Sequence, residues 1–166
     1  EGFVKHGEVV RVGDCAYCKA VSDDAEPYVI RIEQMWEDSK TGAMLFKGSW
    51  LWRRGDMDRN PSPPMEKTEL LLSDWGDTNP VETVIGRVLV LFSDEIPADA
   101  KREGGVQVGD TRCHHFCYRF YQVKAKRIRP IPDMKLSPPV QNYGDLLSDS
   151  RPTPTLAATA EAIRKG

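Results

Sequence analysis

The sequence predicts an all-β protein, a barrel or a sandwich. Three observations carry this expectation. Short runs rich in Val, Ile and aromatic residues recur along the chain, Gly, Pro, Asn and Asp punctuate them, and strand-like windows do not alternate with helical ones. Residues 9–12 and 16–20 read as strands around a Gly13-Asp14 turn. Residues 27–36 and 43–52 read as a hairpin joined by a polar turn at 37–42. A Pro-rich loop over 53–67 leads to a short apolar strand at 69–73. Residues 84–93 are apolar almost without interruption, which predicts a central strand. A charged, Gly-containing loop over 94–110 precedes an aromatic-rich strand at 112–121 and a basic stretch at 123–129. A Pro-rich linker follows, and then a short helix over 156–165. Thr155 is its N-cap, Gly166 its stop, and Leu156, Ala160 and Ile163 share one face. The division is therefore one domain over 1–132 and a linker with its helix over 133–166.

The charge balance narrows the functional classes. The 166 residues carry 23 Lys+Arg against 25 Asp+Glu, a net charge of −2. A dedicated nucleic-acid binder usually has a basic excess, so that class is disfavoured. No apolar run approaches the roughly 18 residues of a membrane helix, and the N-terminus lacks a signal-peptide pattern. The chain opens on Glu1 rather than Met, which reads as a segment cut from a longer protein.

The four Trp residues are clustered rather than scattered, with Trp50 and Trp52 two apart, Trp36 upstream and Trp75 downstream. On a strand, residues i and i+2 face the same side about 6.5–7 Å apart. Two indoles so placed suit a methylated ammonium, because cation–π attraction acts within about 6 Å of a ring centroid. Tyr28 opens the partner strand and is expected to stand near Trp52 as a third wall. Asp56, Asp58 or Asp77 can supply a carboxylate beside the cation. The plainer reading makes the same aromatics a cross-strand core cluster.

A series of motifs tilts that choice. Val12-Gly13-Asp14-Cys15, Pro27-Tyr28-Val29-Ile30-Arg31-Ile32, Met35-Trp36-Glu37-Asp38-Ser39 and Gly48-Ser49-Trp50-Leu51-Trp52-Arg53 come first. Glu69-Leu70-Leu71-Leu72-Ser73-Asp74, Pro80-Val81-Glu82-Thr83-Val84-Ile85-Gly86-Arg87 and His115-Phe116-Cys117-Tyr118-Arg119-Phe120-Tyr121 follow. In this order, over roughly 8–130, they resemble the bromo-adjacent homology (BAH) domain. The resemblance implies a distorted β-barrel with long loops, found in chromatin proteins, and hence a nuclear location. Several members read methylated lysine on histone tails, here implying trimethyl-lysine on an H3 or H4 tail. Carried over by position, the methyl-lysine cage is Tyr28, Trp50 and Trp52. The stretch from Leu72 to Asp77 resembles the loop that grips peptide beside the lysine, with Asp77 at the family's acidic position. Trp75 stands where readers of the Polycomb mark on H3 carry His, and Arg53-Arg54-Gly55-Asp56 replaces the usual Arg-Pro-Glu-Glu. Val12-Gly13-Asp14-Cys15, Trp36-Glu37-Asp38-Ser39 and Glu103-Gly104-Gly105 look closer to the first BAH domain of maintenance DNA methyltransferases. The resemblance thus implies a reader without catalysis. The alternative is a structural or autoregulatory module of a chromatin enzyme.

Other patterns support less. Cys15-x-x-Cys18 with Cys113-His114-His115-Phe116-Cys117 suggests zinc, whose ligands must converge within about 4 Å of one another. On extended strands Cys113 and Cys117 stand about 13 Å apart, so buried thiols with one or two exposed His are expected and no metal or other cofactor. Lys124, Lys126, Arg127 and Arg129 form the only basic run. A solvated strand edge is the default, and weak contact with nucleosomal DNA phosphates the alternative. Trp36 is expected to pack.

Overall fold

Period-two patterning and β-branched residues build twelve strands in the computed structural model, which describes residues 2–132 apart from Asp23, Arg102 and Glu103. They are β1 (Gly2–Lys5), β2 (Glu8–Arg11), β3 (Cys15–Cys18), β4 (Tyr28–Glu37), β5 (Met44–Trp52), β6 (Glu69–Pro80) and β7 (Val84–Val88), followed by β8 (Val90–Phe92), β9 (Val106–Val108), β10 (Thr111–Cys113), β11 (His115–Gln122) and β12 (Arg127–Pro130). The all-β expectation holds. The helix expected over 156–165 lies outside the described residues.

The principal sheet runs β12-β11-β6-β5-β4-β3-β7, and β8 pairs with β11. It is not closed into a barrel, contrary to expectation. Closure needs a ladder between the outermost strands. Among the described residues, β12 pairs only with β11 at one end, and β7 only with β3 at the other. The apolar run read as one strand over 84–93 is two. Its first half pairs antiparallel with β3 and its second half parallel with β11. The change of partner falls at Leu89, whose carbonyl takes the amides of His114 (3.0 Å) and His115 (3.4 Å) instead of extending a ladder. The aromatic strand is divided at the same place, between β10 and β11.

Two small hairpins, β1–β2 and β9–β10, stand apart from the main sheet. Val10 of β2 joins Ala16, Ile30, Ile32, Phe46 and Val84 in one core cluster, against which Phe3 and Trp50 pack. The larger core lies among Tyr17, Val29, Leu51, Leu70, Leu72, Val88, Phe92 and Phe120. Leu51 and Trp50 therefore belong to opposite faces of β5, as strand alternation requires.

The largest departure from expectation is β6, which is twelve residues long rather than five. Its first five residues are buried, and those from Asp74 to Thr78 are exposed. The ladder with β11 stops at Ser73 opposite Tyr121, whereas pairing with β5 continues to Pro80 opposite Leu45. Trp75 and Asp77 thus sit on a strand with β5 on one side and, among the described residues, no paired strand on the other.

Candidate functional site

The pairing of β4 with β5 places Ile30 opposite Trp50 and Val29 opposite Leu51. Tyr28 is then the next residue outward on the face that carries Trp50 and Trp52. The pairing of β5 with β6 is interrupted, because Leu51 faces Leu72 but Ser49 faces Gly76. One residue of β5, Trp50, opposes three of β6 here, a bulge spanning Ser73 to Trp75. A bulge of this kind re-aims a side chain, and Trp75 is brought round to the aromatic face.

The outcome is a solvent-open pocket of about 420 Å³ lined by Tyr28, Trp50, Leu51, Trp52, Asp56 and Trp75. Tyr28 is 43% and Trp75 51% exposed, while Trp50 and Trp52 are half-buried. Tyr28 meets Trp50 edge to face, with centroids 5.4 Å apart and planes at 67°. This differs from the expected neighbour: Trp52 instead packs edge to face on Tyr121, at 5.4 Å and 75°. Trp52 packs against Met65, Leu71 and Tyr121, so one face of its indole belongs to a small core and the other to the pocket.

Asp56 lies on the short 3₁₀ turn Arg54–Asp56 that follows β5. Its Oδ2 accepts the Arg53 backbone amide at 2.8 Å, which holds the carboxylate over the pocket. Arg53 also pairs with the exposed Glu26 at 3.4 Å, linking the ends of β4 and β5 at the rim. Asp77 is not in the aromatic pocket. It lines a separate polar groove with Glu33, Lys47, Ser49, Asp74, Gly76 and Thr78, and its Oδ1 accepts the Thr78 amide at 2.8 Å. Asp58 is likewise elsewhere, in an exposed ion pair with Lys126 at 3.3 Å.

The cysteines and histidines do not converge. All four thiols are free and buried, and they are divided among three clusters: Cys15 with Cys117, Cys18 apart, and Cys113 apart again. Burial pushes the thiols of Cys18 and Cys117 up to about 12 and that of Cys113 to about 11. No group of three potential ligands gathers among the described residues. The expectation of exposed histidines in this stretch is corrected. His114 is 3% exposed. His115 is partly buried, between the Thr68 carbonyl (Nδ1, 3.2 Å) and the Tyr17 hydroxyl (Nε2, 3.1 Å). A carbonyl can only accept, so Nδ1 carries the proton and Nε2 accepts from Tyr17. Burial first, and then the charge of Arg53, push the imidazole down to about 4.

Lys124 and Lys126 stand on the turn between β11 and β12, and Arg127 and Arg129 on the edge strand β12, all exposed. Trp36 was expected to pack, but it is 37% exposed near the outer end of the β4–β5 hairpin. Its strand is long enough to carry it past the core.

A family model described as the BAH domain matches residues 8–132. The chain belongs to that family, whose members are commonly chromatin-associated modules and generally non-catalytic. Among solved structures, it is similar to one titled "Crystal structure of the yeast Rsc2 BAH domain", with a TM-score of 0.59 and 18% identity. That match covers 80% of this chain and 54% of the other, so this chain spans about half the length of the solved one. At this identity the likeness concerns the fold.

Proposed function

We propose that this BAH domain is a nuclear chromatin reader that binds a methylated lysine, in the trimethylated state, on a histone H3 or H4 tail. The observation that carries the reading is the arrangement of Tyr28, Trp50, Trp52 and Trp75 around an open pocket with Asp56 at its margin. If these aromatics were core residues alone, Trp50 and Trp52 would be fully buried. Methylation lowers the cost of desolvating the ammonium and leaves its attraction to the rings intact, which favours trimethyl-lysine over lysine. The open side of β6 from Asp74 to Pro80 offers backbone for an added peptide strand, with Asp77 and Trp75 along it. A single-pocket tail reader of this kind binds in the micromolar range, about −7 to −8 kcal/mol.

The packing of Trp52 on Tyr121 and Met65 favours a structural share for that residue alone. The test is a calorimetric titration of H3- and H4-tail peptides, each methylated and unmodified, against the wild type and Trp50→Ala. One methylated peptide should bind better than its unmodified twin, and Trp50→Ala should abolish the difference. Equal binding of every pair overturns the proposal.

A further inference from the structure

The ladder between β5 and β6 passes from Leu51–Leu72 to Ser49–Gly76, so Trp50 has no ladder partner on β6. Backbone groups left over by such an interruption must find other partners when buried. Ser73 supplies them. It is fully buried, and its Oγ lies 2.8 Å from the carbonyl of Trp50 and 3.3 Å from the amide nitrogen of Trp75. A hydroxyl has one proton and two lone pairs. The proton goes to the carbonyl of Trp50, and a lone pair accepts the Trp75 amide. One oxygen thus ties together the backbones of two pocket walls that come from different strands. It does so at the residue where the β11 ladder ends and the open stretch of β6 begins.

We infer that Ser73 is the positioning residue of the pocket: its hydroxyl sets the separation of Trp50 and Trp75, and through it the preference for a methylated ammonium. This rests on the methyl-lysine reading for its ligand, but the positioning itself can be read without one. Ser73 is not among the residues that line the pocket, whereas Trp50 and Trp75 are. Its effect therefore runs entirely through the two indoles.

The experiment uses protein labelled with 5-fluorotryptophan, the four ¹⁹F resonances being assigned by single Trp→Phe variants. In Ser73→Ala the Trp75 and Trp50 signals should shift or broaden, while Trp36, remote on the hairpin, stays sharp and reports that the fold is intact. Should all four signals collapse, Ser73→Cys replaces it, keeping the volume and a weak donor, and must displace Trp75 and Trp50 by a smaller amount. Unmoved Trp75 and Trp50 signals in a folded variant overturn the inference whatever the peptides do. H3- and H4-tail peptides trimethylated at one lysine are then titrated with their unmodified twins. Losing one hydrogen bond should weaken the trimethylated peptide about fivefold, with the unmodified twin little affected. In a Trp75→Ala background the same substitution should add almost nothing. A full additional loss there shows that Ser73 does not act through Trp75 and also overturns the inference. If the fluorine signals move but wild type ignores every methylated peptide, the positioning stands and the methyl-lysine reading falls.

Discussion

Arg119 grips Glu69 with both arms of its guanidinium, Nε lying 2.9 Å from Oε1 and Nη2 3.1 Å from Oε2. Glu69 is 1% exposed and Arg119 6%, so the pair is sealed inside the domain. Nη1 donates to the Pro63 carbonyl at 2.8 Å, and the guanidinium lies over Tyr118 at 4.9 Å. The pair ties the start of β6 to β11 and to the Pro-rich loop. Removing one member strands the other charge in the interior, which typically costs about 3–5 kcal/mol. Arg119→Met should therefore lower the denaturation midpoint sharply, whereas Glu69→Gln with Arg119→Met together should recover part of the loss. Equal stability of wild type and Arg119→Met in urea would contradict this role.

His115 makes stability depend on pH in a defined direction. Its folded value of about 4 lies below the ordinary 6.5, so between those values the unfolded chain takes up a proton that the folded chain refuses. Its contribution is complete above about pH 6.5 and is lost as the pH falls towards 4. Urea midpoints measured across that window should fall more steeply for the wild type than for His115→Gln. Parallel curves would mean that the imidazole titrates normally.

The thiols should be chemically silent. Burial raises all four, and no cation lowers them enough to give thiolate at neutral pH. Iodoacetamide at pH 8 should leave the native protein unmodified for as long as it stays folded, and should alkylate all four residues in denaturant. Rapid labelling of a single cysteine in the native state would show an opening absent from this structure.

Gly48 of β5, opposite Ile32 of β4, has no room for a side chain. A Cβ there would strike the carbonyl oxygen of Arg31 and come within 2.7 Å of Ile30 Cγ1. Backbone cannot yield as a side-chain tip can, so Gly48→Ala should cost about 1–3 kcal/mol by overpacking. Because Gly48 lies two residues from Trp50, its thermal melt should be compared with that of Gly55→Ala, where the added carbon meets nothing within 4 Å. Equal melts would remove the steric argument.

Asp56 is exposed, so its attraction for a cation is screened by salt. Asp56→Asn should weaken the methylated peptide roughly threefold at low ionic strength and by less in 0.5 M salt. Trp50→Ala should stay deficient at both salt concentrations, because the loss there is of ring surface rather than charge. A salt-independent defect in Asp56→Asn would assign the carboxylate a hydrogen-bonding role instead.

Much of this was legible along the chain, and the reasons differ by residue. Strand alternation alone puts Trp50 and Trp52 on one face, and the hairpin of β4 with β5 follows from polar residues between two β-branched runs. Tyr28 was legible as a wall but not as the partner of Trp50. Which indole it touches depends on the twist of the hairpin and on Tyr121, 69 residues beyond Trp52. The length of β6 was hidden because Asp74, Gly76, Asp77 and Asn79 are residue types with low strand propensity. They are held extended by pairing with β5, a long-range contact that local composition does not encode. His114 and His115 looked polar enough for the surface, yet the break at Leu89 folds them inward.

Sequence by itself determined the all-β class and the shared face of Trp50 and Trp52, since these depend on residue type and on a two-residue period, and the ordered motif series pointed to the family. Only the tertiary structure decided that the sheet stays open, that Trp75 joins the pocket while Asp77 does not, and that Ser73 links two of its walls. The physical reason is register: a two-residue excess on β6 cannot be counted from one strand, because it exists only in the pairing of two.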